Sequence, residues 1–247
     1  MAQYAHDLII PSNDSELSKK SQVAEMFNSI AHRYDFLNRF LSAGIDVSWR
    51  KKAIKELKEH RPKVMLDVAT GTADVALLTE KILKPNKIIG IDISEGMLKL
   101  GKEKILKQKK ERIIQLQLGD CESLNFDDNF FDAVTVAFGV RNFENLNKGL
   151  KEIFRVLKPT GKIIVLEFSK PNKKSIKGFY HFYMNKIMPK FGSILSGNKQ
   201  AYLYLNESVQ AFPEGQQFLK ILNETGFTQT YLKTLSLGVC TIYCGRK

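Results

Sequence analysis

The sequence predicts an α/β fold with a seven-stranded, mostly parallel sheet that ends in an antiparallel hairpin and carries helices on both faces. Between residues 64 and 168, short apolar runs alternate with amphipathic segments about every 25 residues, as parallel strands joined by helices do. Near the C-terminus, two strand-like segments are separated by only a few residues, so they should pair as an antiparallel hairpin.

The first 62 residues precede this alternating pattern. Residues 1–20 are polar, and we interpret them as a loose arm. Residues 21–62 are predicted to form a helical lid, because apolar residues recur at helical spacing from Val23 and a second helix is expected over residues 48–60. Pro62 ends this region, since proline cannot continue a helix.

The alternating region begins with a nearly continuous apolar run at residues 64–68, which is typical of a strand buried on both faces. The other parallel strands are expected at residues 87–92, 113–118, 131–137 and 162–168, and the helices at residues 74–83, 95–109 and 145–157. An irregular insertion at residues 170–213 comes next, followed by a helix at 214–225 and hairpin strands at 227–235 and 238–243. We treat residues 21–247 as a single domain.

The composition is that of a soluble globular protein, with 247 residues of which 43% are hydrophobic and 26% charged. Cys121, Cys240 and Cys244 form neither a CxxC pair nor a Cys/His cluster, so we expect reduced thiols and no metal site. The sequence shows no leader-like segment and no long uncharged apolar run. We therefore expect a cytoplasmic protein without a spanning helix.

Aspartates close three consecutive predicted strands: Asp67, Asp92 and Asp120. Ligands of open doubly wound sheets bind at these carboxyl ends. The loop after the first strand has one glycine, Gly71, where a dinucleotide-binding loop needs three. Its Asp74 would also repel phosphate groups. The pattern therefore disfavours NAD, FAD and nucleoside triphosphates.

The three aspartates fit S-adenosylmethionine, which has an ammonium group, a ribose and an adenine but no phosphate. An acidic strand end beside a loop of small residues suits the ammonium and sulfonium groups. Asp92 can accept both ribose hydroxyls, and Asp120 can accept the purine amino group. One such aspartate is often only a loop or cap residue, so the prediction depends on the three together.

At this point the chain resembles the class I S-adenosylmethionine-dependent methyltransferases with a Rossmann-like fold. Within them it resembles the quinone-biosynthesis C-methyltransferases, which act on demethylmenaquinol or on the polyprenyl benzoquinol precursor of ubiquinone. The resemblance spans roughly residues 23–247 and is carried by residues 34–42 with Trp49, by the AFGVRN motif at 137–142, and by residues 155–169. The chain departs from the usual pattern at Asp46, where His is common, and at Thr70, Ala73 and Thr160, where Gly is common.

The resemblance implies the cofactor contacts. They fall on Thr72, Asp92, Asp120, Cys121 through its backbone, and Ala137, to which we add Asp67 and Gly71 of the first loop. The lid and the insertion at 170–213 would cap the substrate.

The implied reaction is C-methylation of a reduced prenylated quinol. Deprotonating a phenol, whose pKa is ~10, makes the ortho carbon nucleophilic. Arg141 is the first candidate to stabilise the phenolate, its alternative being an ion pair with a carboxylate such as Glu144. His181 and Tyr183 could transfer protons or line the ring pocket, although for His181 alone a partly exposed surface position is the favoured interpretation. Asp46 could orient a proton carrier or serve as a turn or cap residue.

The net charge of +12 is concentrated in part in residues 168–206, which contain seven Lys, no Asp or Glu, and eight aromatic residues. Such a segment suits an anionic membrane surface or nucleic acid, or is simply a solvated cap with a buried aromatic core. A prenylated substrate favours the membrane surface, so we expect peripheral contact with the inner face of the cell membrane.

Several other functions are consistent with the fold. An RNA methyltransferase is disfavoured because the chain lacks an RNA-binding module and the RNA amino- and cytosine-methylation motifs, so we expect no nucleic-acid partner. The quinone-family motifs weigh against a sterol or small-phenol methyltransferase, and the retained Asp92 and Asp120 weigh against a non-catalytic quinone carrier. We favour demethylmenaquinol as substrate over the ubiquinone precursor, and we also consider a homodimer.

Overall fold

The computed structural model describes residues 4–12, 16–42, 44–171 and 199–247. Its sheet consists of β1 (Val64–Val68), β2 (Lys87–Asp92), β3 (Ile114–Leu118), β4 (Phe131–Ala137), β5 (Leu157–Phe168), β6 (Thr228–Leu235) and β7 (Cys240–Arg246). The strand order is β3-β2-β1-β4-β5-β7-β6. The pairs among β1 to β5 are parallel, and β7 is antiparallel to both of its neighbours. The predicted sheet and its C-terminal hairpin are confirmed.

Helices pack on both faces of this sheet, as predicted. They are α1 (Lys19–Leu41), α2 (Ile45–Lys55), α3 (Asp74–Leu83), α4 (Glu95–Lys107), α5 (Leu146–Val156), α6 (Lys199–Ala211) and α7 (Gln216–Thr225). Successive side chains of a strand point to opposite faces. Met65 of β1 accordingly shares a buried cluster with Trp49 of α2, whereas Leu66 shares another with Leu150 of α5. Burial on both faces explains why β1 reads as a continuous apolar run.

Some element boundaries differ from those predicted. Helix α2 begins at Ile45 and ends at Lys55, earlier than the predicted 48–60, because Gly44 enters it with φ 76° and the chain continues in turns after Lys55. Strand β5 begins at Leu157 rather than 162, since a register shift against β4 accommodates residues 158–161. Within that irregularity Thr160 has φ 70°, which is the conformation that the commoner Gly adopts readily.

The described part of the N-terminal arm, residues 4–12, packs on the rest of the chain. His6 is fully buried, and its ring lies 5.6 Å from that of Phe212 at the end of α6. Lys19, at the start of α1, donates to the backbone carbonyl of His6 at 2.6 Å. Burial lowers the pKa of His6 to about 4, so the neutral ring is the form that is accommodated here. The sequence pattern, which indicates a loose arm, does not show this packing.

The three cysteines of the described residues are buried and free, in agreement with the predicted reduced thiols. None of the helices in this part of the chain has both the length and the apolar character needed to cross a membrane.

The strand order reverses between β1 and β4, which come from opposite halves of the parallel region and lie side by side. In open α/β sheets, ligands bind outside the carboxyl ends of the strands at such a switch point. The fold therefore predicts a ligand site among the loops that follow β1, β2, β3 and β4.

Candidate functional site

A cavity with about 680 Å³ of empty space lies at the carboxyl ends of β1, β2, β3 and β4. Five predicted cofactor residues line it: Gly71, Asp92, Asp120, Cys121 and Ala137. Helix α1 closes one side with Val23, Phe27 and Tyr34. The structure thus brings together side chains from four separate strand ends and from the N-terminal lid.

The loop after β1 is shaped by left-handed backbone conformations. Gly71 has φ 56°, and Ala73, where the family usually has Gly, has φ 65°. The glycine-type conformation is therefore retained at Ala73 despite its methyl group. The backbone N–H of Thr70 donates to the carbonyl of Ile91 at 2.9 Å, which fixes the loop against the end of β2.

Asp92 connects this loop to the start of α4. One of its carboxylate oxygens accepts from the backbone N–H of Gly71 at 2.8 Å, and the other accepts from that of Ser94 at 2.9 Å. Burial raises the pKa of Asp92 above its usual value. Each carboxylate oxygen has two lone pairs, so both retain capacity to accept a ligand hydroxyl. Asp92 is on the cavity wall, which is the position a ribose-binding carboxylate needs.

A second carboxylate, Asp120, lines the cavity after the end of β3. Lys20 of α1 forms an ion pair with it and lies 3.4 Å from Glu122 and 3.9 Å from Glu144. The sequence pattern did not indicate Lys20, which is 100 residues from Asp120 along the chain. The neighbouring Cys121 is buried, and burial raises the pKa of its thiol well above the usual range. That environment is consistent with a contact through the backbone of Cys121.

Two of the predicted cofactor residues are not among those that line the cavity. Asp67 lies beneath the loop, where its carboxylate accepts from the hydroxyls of Thr70 and Thr135, each at 2.6 Å. Thr72 donates to Asp35 of α1 at 2.6 Å and accepts from Lys104 of α4 at 2.9 Å. Asp67 therefore supports the loop from below, and Thr72 connects the loop to α1 and α4.

Replacing the buried Asp67 should change the pH dependence of stability. Burial raises the pKa of Asp67 from 3.8 to about 6, so the folded state carries a disfavoured buried charge above that pH. Both partners are hydroxyls that can rotate, so Asp67→Asn keeps two hydrogen bonds. We expect its free energy of unfolding to match that of the wild type near pH 4 and to exceed it by up to about 3 kcal/mol at pH 8. Urea unfolding at several pH values measures this difference; a pH-independent difference would contradict the assignment.

Asp46 lies in the first turn of α2, away from the described cavity. It forms a buried ion pair with Arg50 and accepts from the hydroxyl of Ser42 at 2.8 Å. Arg50 also lies 3.7 Å from Asp74, the first residue of α3. This geometry corresponds to the structural alternative for Asp46, in which it orders the entry into α2.

Arg141 is buried, and its ion pair is with Glu167 rather than with Glu144, the partner suggested by the sequence. Its Nη1 donates to Glu167 Oε1 and to the backbone carbonyl of Phe138, both at 2.7 Å. The turn Val140–Asn142 after β4 directs Arg141 toward the end of β5, where Glu167 lies, while Glu144 lies near Lys20. The sequence contained one signal that could have indicated Glu167 as the partner, namely its position at the end of a buried strand next to β4.

Aromatic side chains surround this ion pair. The ring centroids of Phe138 and Phe168 are 4.7 Å apart, and Trp49 packs within 6.4 Å of both. Trp49 also donates its ring N–H to the hydroxyl of Ser236 at 2.8 Å. The guanidinium of Arg141 lies 5.6 Å from the ring centroid of Phe168. An aromatic cluster therefore adjoins the buried charges.

The two remaining catalytic candidates, His181 and Tyr183, lie outside the described residues, as does most of the lysine-rich segment. The described cavity itself fits S-adenosylmethionine. It places carboxylates at two adjacent strand ends and lines the space between them with apolar side chains that include Phe27, Met97 and Phe143. A ribose and an aminopurine need this combination of acceptors and apolar contacts.

Residues 15–247 match the ubiE/COQ5 methyltransferase family. A demethylmenaquinone methyltransferase from Bacteroides fragilis is 45% identical over 245 residues, covering 99% of both chains. Another from Porphyromonas gingivalis is 40% identical and covers 95% of this chain and 96% of its own. The ubiquinone/menaquinone biosynthesis C-methyltransferase UbiE of Geotalea daltonii is 45% identical over 230 residues, covering 93% of this chain and 97% of its own.

Solved structures show the same fold at low sequence identity. An S-adenosylmethionine-dependent methyltransferase from Thermotoga maritima superposes with a TM-score of 0.62 at 18% identity, covering 90% of this chain and 99% of that one. A Haemonchus contortus N-methyltransferase in complex with S-adenosylhomocysteine gives 0.58 at 16% identity and covers 85% of this chain and 58% of that one. With the near full-length family match, the chain belongs to the ubiE/COQ5 methyltransferase family and is an S-adenosylmethionine-dependent C-methyltransferase.

Proposed function

We propose that this chain methylates a ring carbon of demethylmenaquinol and so forms menaquinol. The observation that carries the proposal is the 45% identity, over 99% of both chains, to a relative named demethylmenaquinone methyltransferase. The Porphyromonas gingivalis relative bears the same name. The Geotalea daltonii relative is named for both quinones, so the benzoquinol precursor of ubiquinone is the alternative substrate.

The cavity residues have distinct roles in this proposal. Asp92 accepts the ribose hydroxyls, and Asp120 accepts the adenine amino group beside the backbone of Cys121. The loop containing Gly71 and Thr72 surrounds the methionine end, with Asp67 supporting it from below and Ala137 on the opposite wall. The bound cofactor supplies an electrophilic methyl group.

The substrate ring lies in this proposal beside the aromatic side chains at the ends of β4 and β5. Methylation at carbon needs an electron-rich ring, so the protein has to align the quinol and stabilise its phenolate. Arg141 is the cation for that role, because its guanidinium stays protonated and is held next to the cavity wall. His181 and Tyr183 of the cap remain our candidates for lining the ring pocket or moving protons.

The substrate competition between the two quinols tests the assignment. The pure protein is incubated with S-adenosylmethionine and equal amounts of chemically reduced demethylmenaquinone and reduced ubiquinone precursor. We expect the naphthoquinol to gain one methyl group faster than the benzoquinol. A higher kcat/KM for the benzoquinol would replace the proposed substrate by its alternative.

We further propose that the protein is cytoplasmic and docks on the inner face of the cell membrane through the lysine-rich residues 168–206. Sedimentation with liposomes tests this contact. We expect binding to vesicles that contain anionic lipid at low salt, release at high salt, and no binding to neutral vesicles. Absence of binding at low salt would contradict membrane docking, and a salt-dependent shift of RNA in a gel would contradict the expectation of no nucleic-acid partner.

A further inference from the structure

The ion pair at the end of β5 has one donor and one acceptor left unused. Glu167 is fully buried and Arg141 is 5% exposed. Their contact uses Arg141 Nη1 and Glu167 Oε1. Within the described ranges, neither Arg141 Nε nor Glu167 Oε2 has a hydrogen-bond partner, although both atoms are buried. Buried polar atoms without partners are rare in folded proteins, and one bound group that pairs with both atoms would explain their position here.

A single group that pairs with both atoms must accept from one and donate to the other. A hydroxyl does so, since its oxygen can accept from Arg141 Nε–H while its proton is donated to Glu167 Oε2. The pair also adjoins the cavity: Phe138, whose carbonyl accepts from Arg141, lines it, as does Asn142. Tyr204 of α6 donates to Asn142 at 3.1 Å and so closes this side.

We propose that Glu167 and Arg141 together bind one hydroxyl of the reduced quinol, and that Glu167 is the base that takes its proton. This inference rests on the proposed function, because it assumes a quinol substrate. Phe138 and Phe168, whose rings pack against each other beside the pair, give the quinol ring an apolar surface next to the charged groups. Glu167 is thus assigned a role that the sequence motifs left unassigned.

The quinol O–H bond breaks, its proton forms an O–H bond on Glu167 Oε2, and the electron pair stays on the quinol oxygen as a phenolate facing Arg141. After the ring carbon has gained the methyl group, it loses its own proton to solvent and the ring becomes aromatic again. Glu167 then returns its proton to the phenolate oxygen, which regenerates the carboxylate and the hydroxyl.

The surroundings of Glu167 support a role as base. Burial raises the pKa of Glu167 above its usual value, which makes the carboxylate a stronger proton acceptor. Among the described residues, the other titratable groups that interact with it are Tyr204 of α6 and Cys240 and Tyr243 of β7, and burial raises the pKa of each. Lys19, whose pKa burial lowers to about 8, faces Arg141 instead.

The first test is the pH dependence of Glu167→Gln. Without the base, the phenol must lose its proton to solvent, so turnover depends on its own ionisation. We expect kcat to be about 1,000-fold below wild type at pH 7, with the gap closing about tenfold per pH unit toward the phenol pKa of ~10. Lys19 titrates in both proteins, so the ratio of their rates cancels its effect. Wild-type turnover, or a deficit that is the same at every pH, would overturn the proposal.

The second test measures binding without turnover. Calorimetry in the presence of S-adenosylhomocysteine compares 1-naphthol with 1-methoxynaphthalene, which cannot donate to Glu167. We expect the wild type to bind the naphthol at least about tenfold more tightly, and Glu167→Gln to lose most of this preference. Equal preference in the two proteins would overturn the assignment of the hydroxyl to Glu167.

Controls separate folding, function and mechanism. The matched control is Glu152→Gln, which neutralises the glutamate of another Arg–Glu pair. Its partner is Arg155, and neither residue lines the cavity. This variant should turn over at the wild-type rate. If Glu167→Gln does not fold, Glu167→Asp is the second variant. It keeps the charge opposite Arg141 but moves the carboxylate away from the quinol hydroxyl. We expect at least about tenfold lower kcat for it, and an unchanged kcat would overturn the proposal. No methylation of the quinol by wild type at any pH would instead contradict the proposed function.

Discussion

Arg141→Ala is expected to lower kcat by about 100- to 1,000-fold, because in the proposed mechanism it removes the cation that faces the developing phenolate. Cofactor affinity should stay within about threefold of wild type, since Arg141 does not line the described cavity. Steady-state kinetics with the reduced quinol and calorimetry with the cofactor measure the two quantities. A variant that binds the cofactor normally and turns over at the wild-type rate would exclude Arg141 from the mechanism.

The same substitution leaves Glu167 buried without its partner, which typically costs about 3–5 kcal/mol. The double variant Arg141→Ala with Glu167→Gln removes this unpaired charge. We expect it to regain part of the lost free energy of unfolding but none of the lost turnover. Recovery of turnover along with stability would show that the single variant fails through misfolding.

Asp92→Asn is expected to weaken cofactor binding although the side chains have the same shape. Both carboxylate oxygens accept from backbone N–H groups, of Gly71 and Ser94, so the amide must turn its own N–H₂ toward one of them. An unpaired buried polar group costs roughly 1–3 kcal/mol, and the ribose also loses an acceptor. We expect a rise in the cofactor Kd of about 10- to 100-fold by calorimetry, with lower stability in urea.

Asp67→Asn is the matched control for Asp92→Asn. Both aspartates are buried, and burial raises the pKa of each. The partners of Asp67 are the rotatable hydroxyls of Thr70 and Thr135 rather than fixed backbone N–H groups. We therefore expect Asp67→Asn to keep cofactor affinity within a few fold. Equal losses in the two variants would contradict the distinction between a cavity carboxylate and a supporting one.

Much of the fold could be predicted because its signals are local. The period of the apolar residues changes sharply between strand and helix, so β2, β4 and α3 have the predicted bounds. Aspartates at strand ends are also local signals, and the parallel sheet brings Asp92 and Asp120 to one cavity. The strand assignments and this rule suffice for the outline of the cofactor site.

The contacts that the sequence did not predict are made across the fold. Glu167 is 26 residues from Arg141, and Lys20 is 100 residues from Asp120. The spacing of residues in the sequence does not predict such pairs. For Arg141 it suggested the nearer Glu144 as the partner. Asp67 lies at the end of a strand, as predicted, but it does not line the cavity. Its carboxylate instead accepts hydrogen bonds from two threonine hydroxyls. Whether a carboxylate at a strand end faces the cavity or supports the loop depends on such partners.

The dependence of methylation on the redox state of the substrate tests the central claim most directly. The pure protein is given S-adenosylmethionine and demethylmenaquinone, either oxidised or chemically reduced, and the products are read by tandem mass spectrometry. We predict a gain of one methyl group on a ring carbon from the reduced substrate alone. A methyl group on oxygen, equal methylation of the oxidised quinone, or no gain by a protein that binds the cofactor would contradict the account.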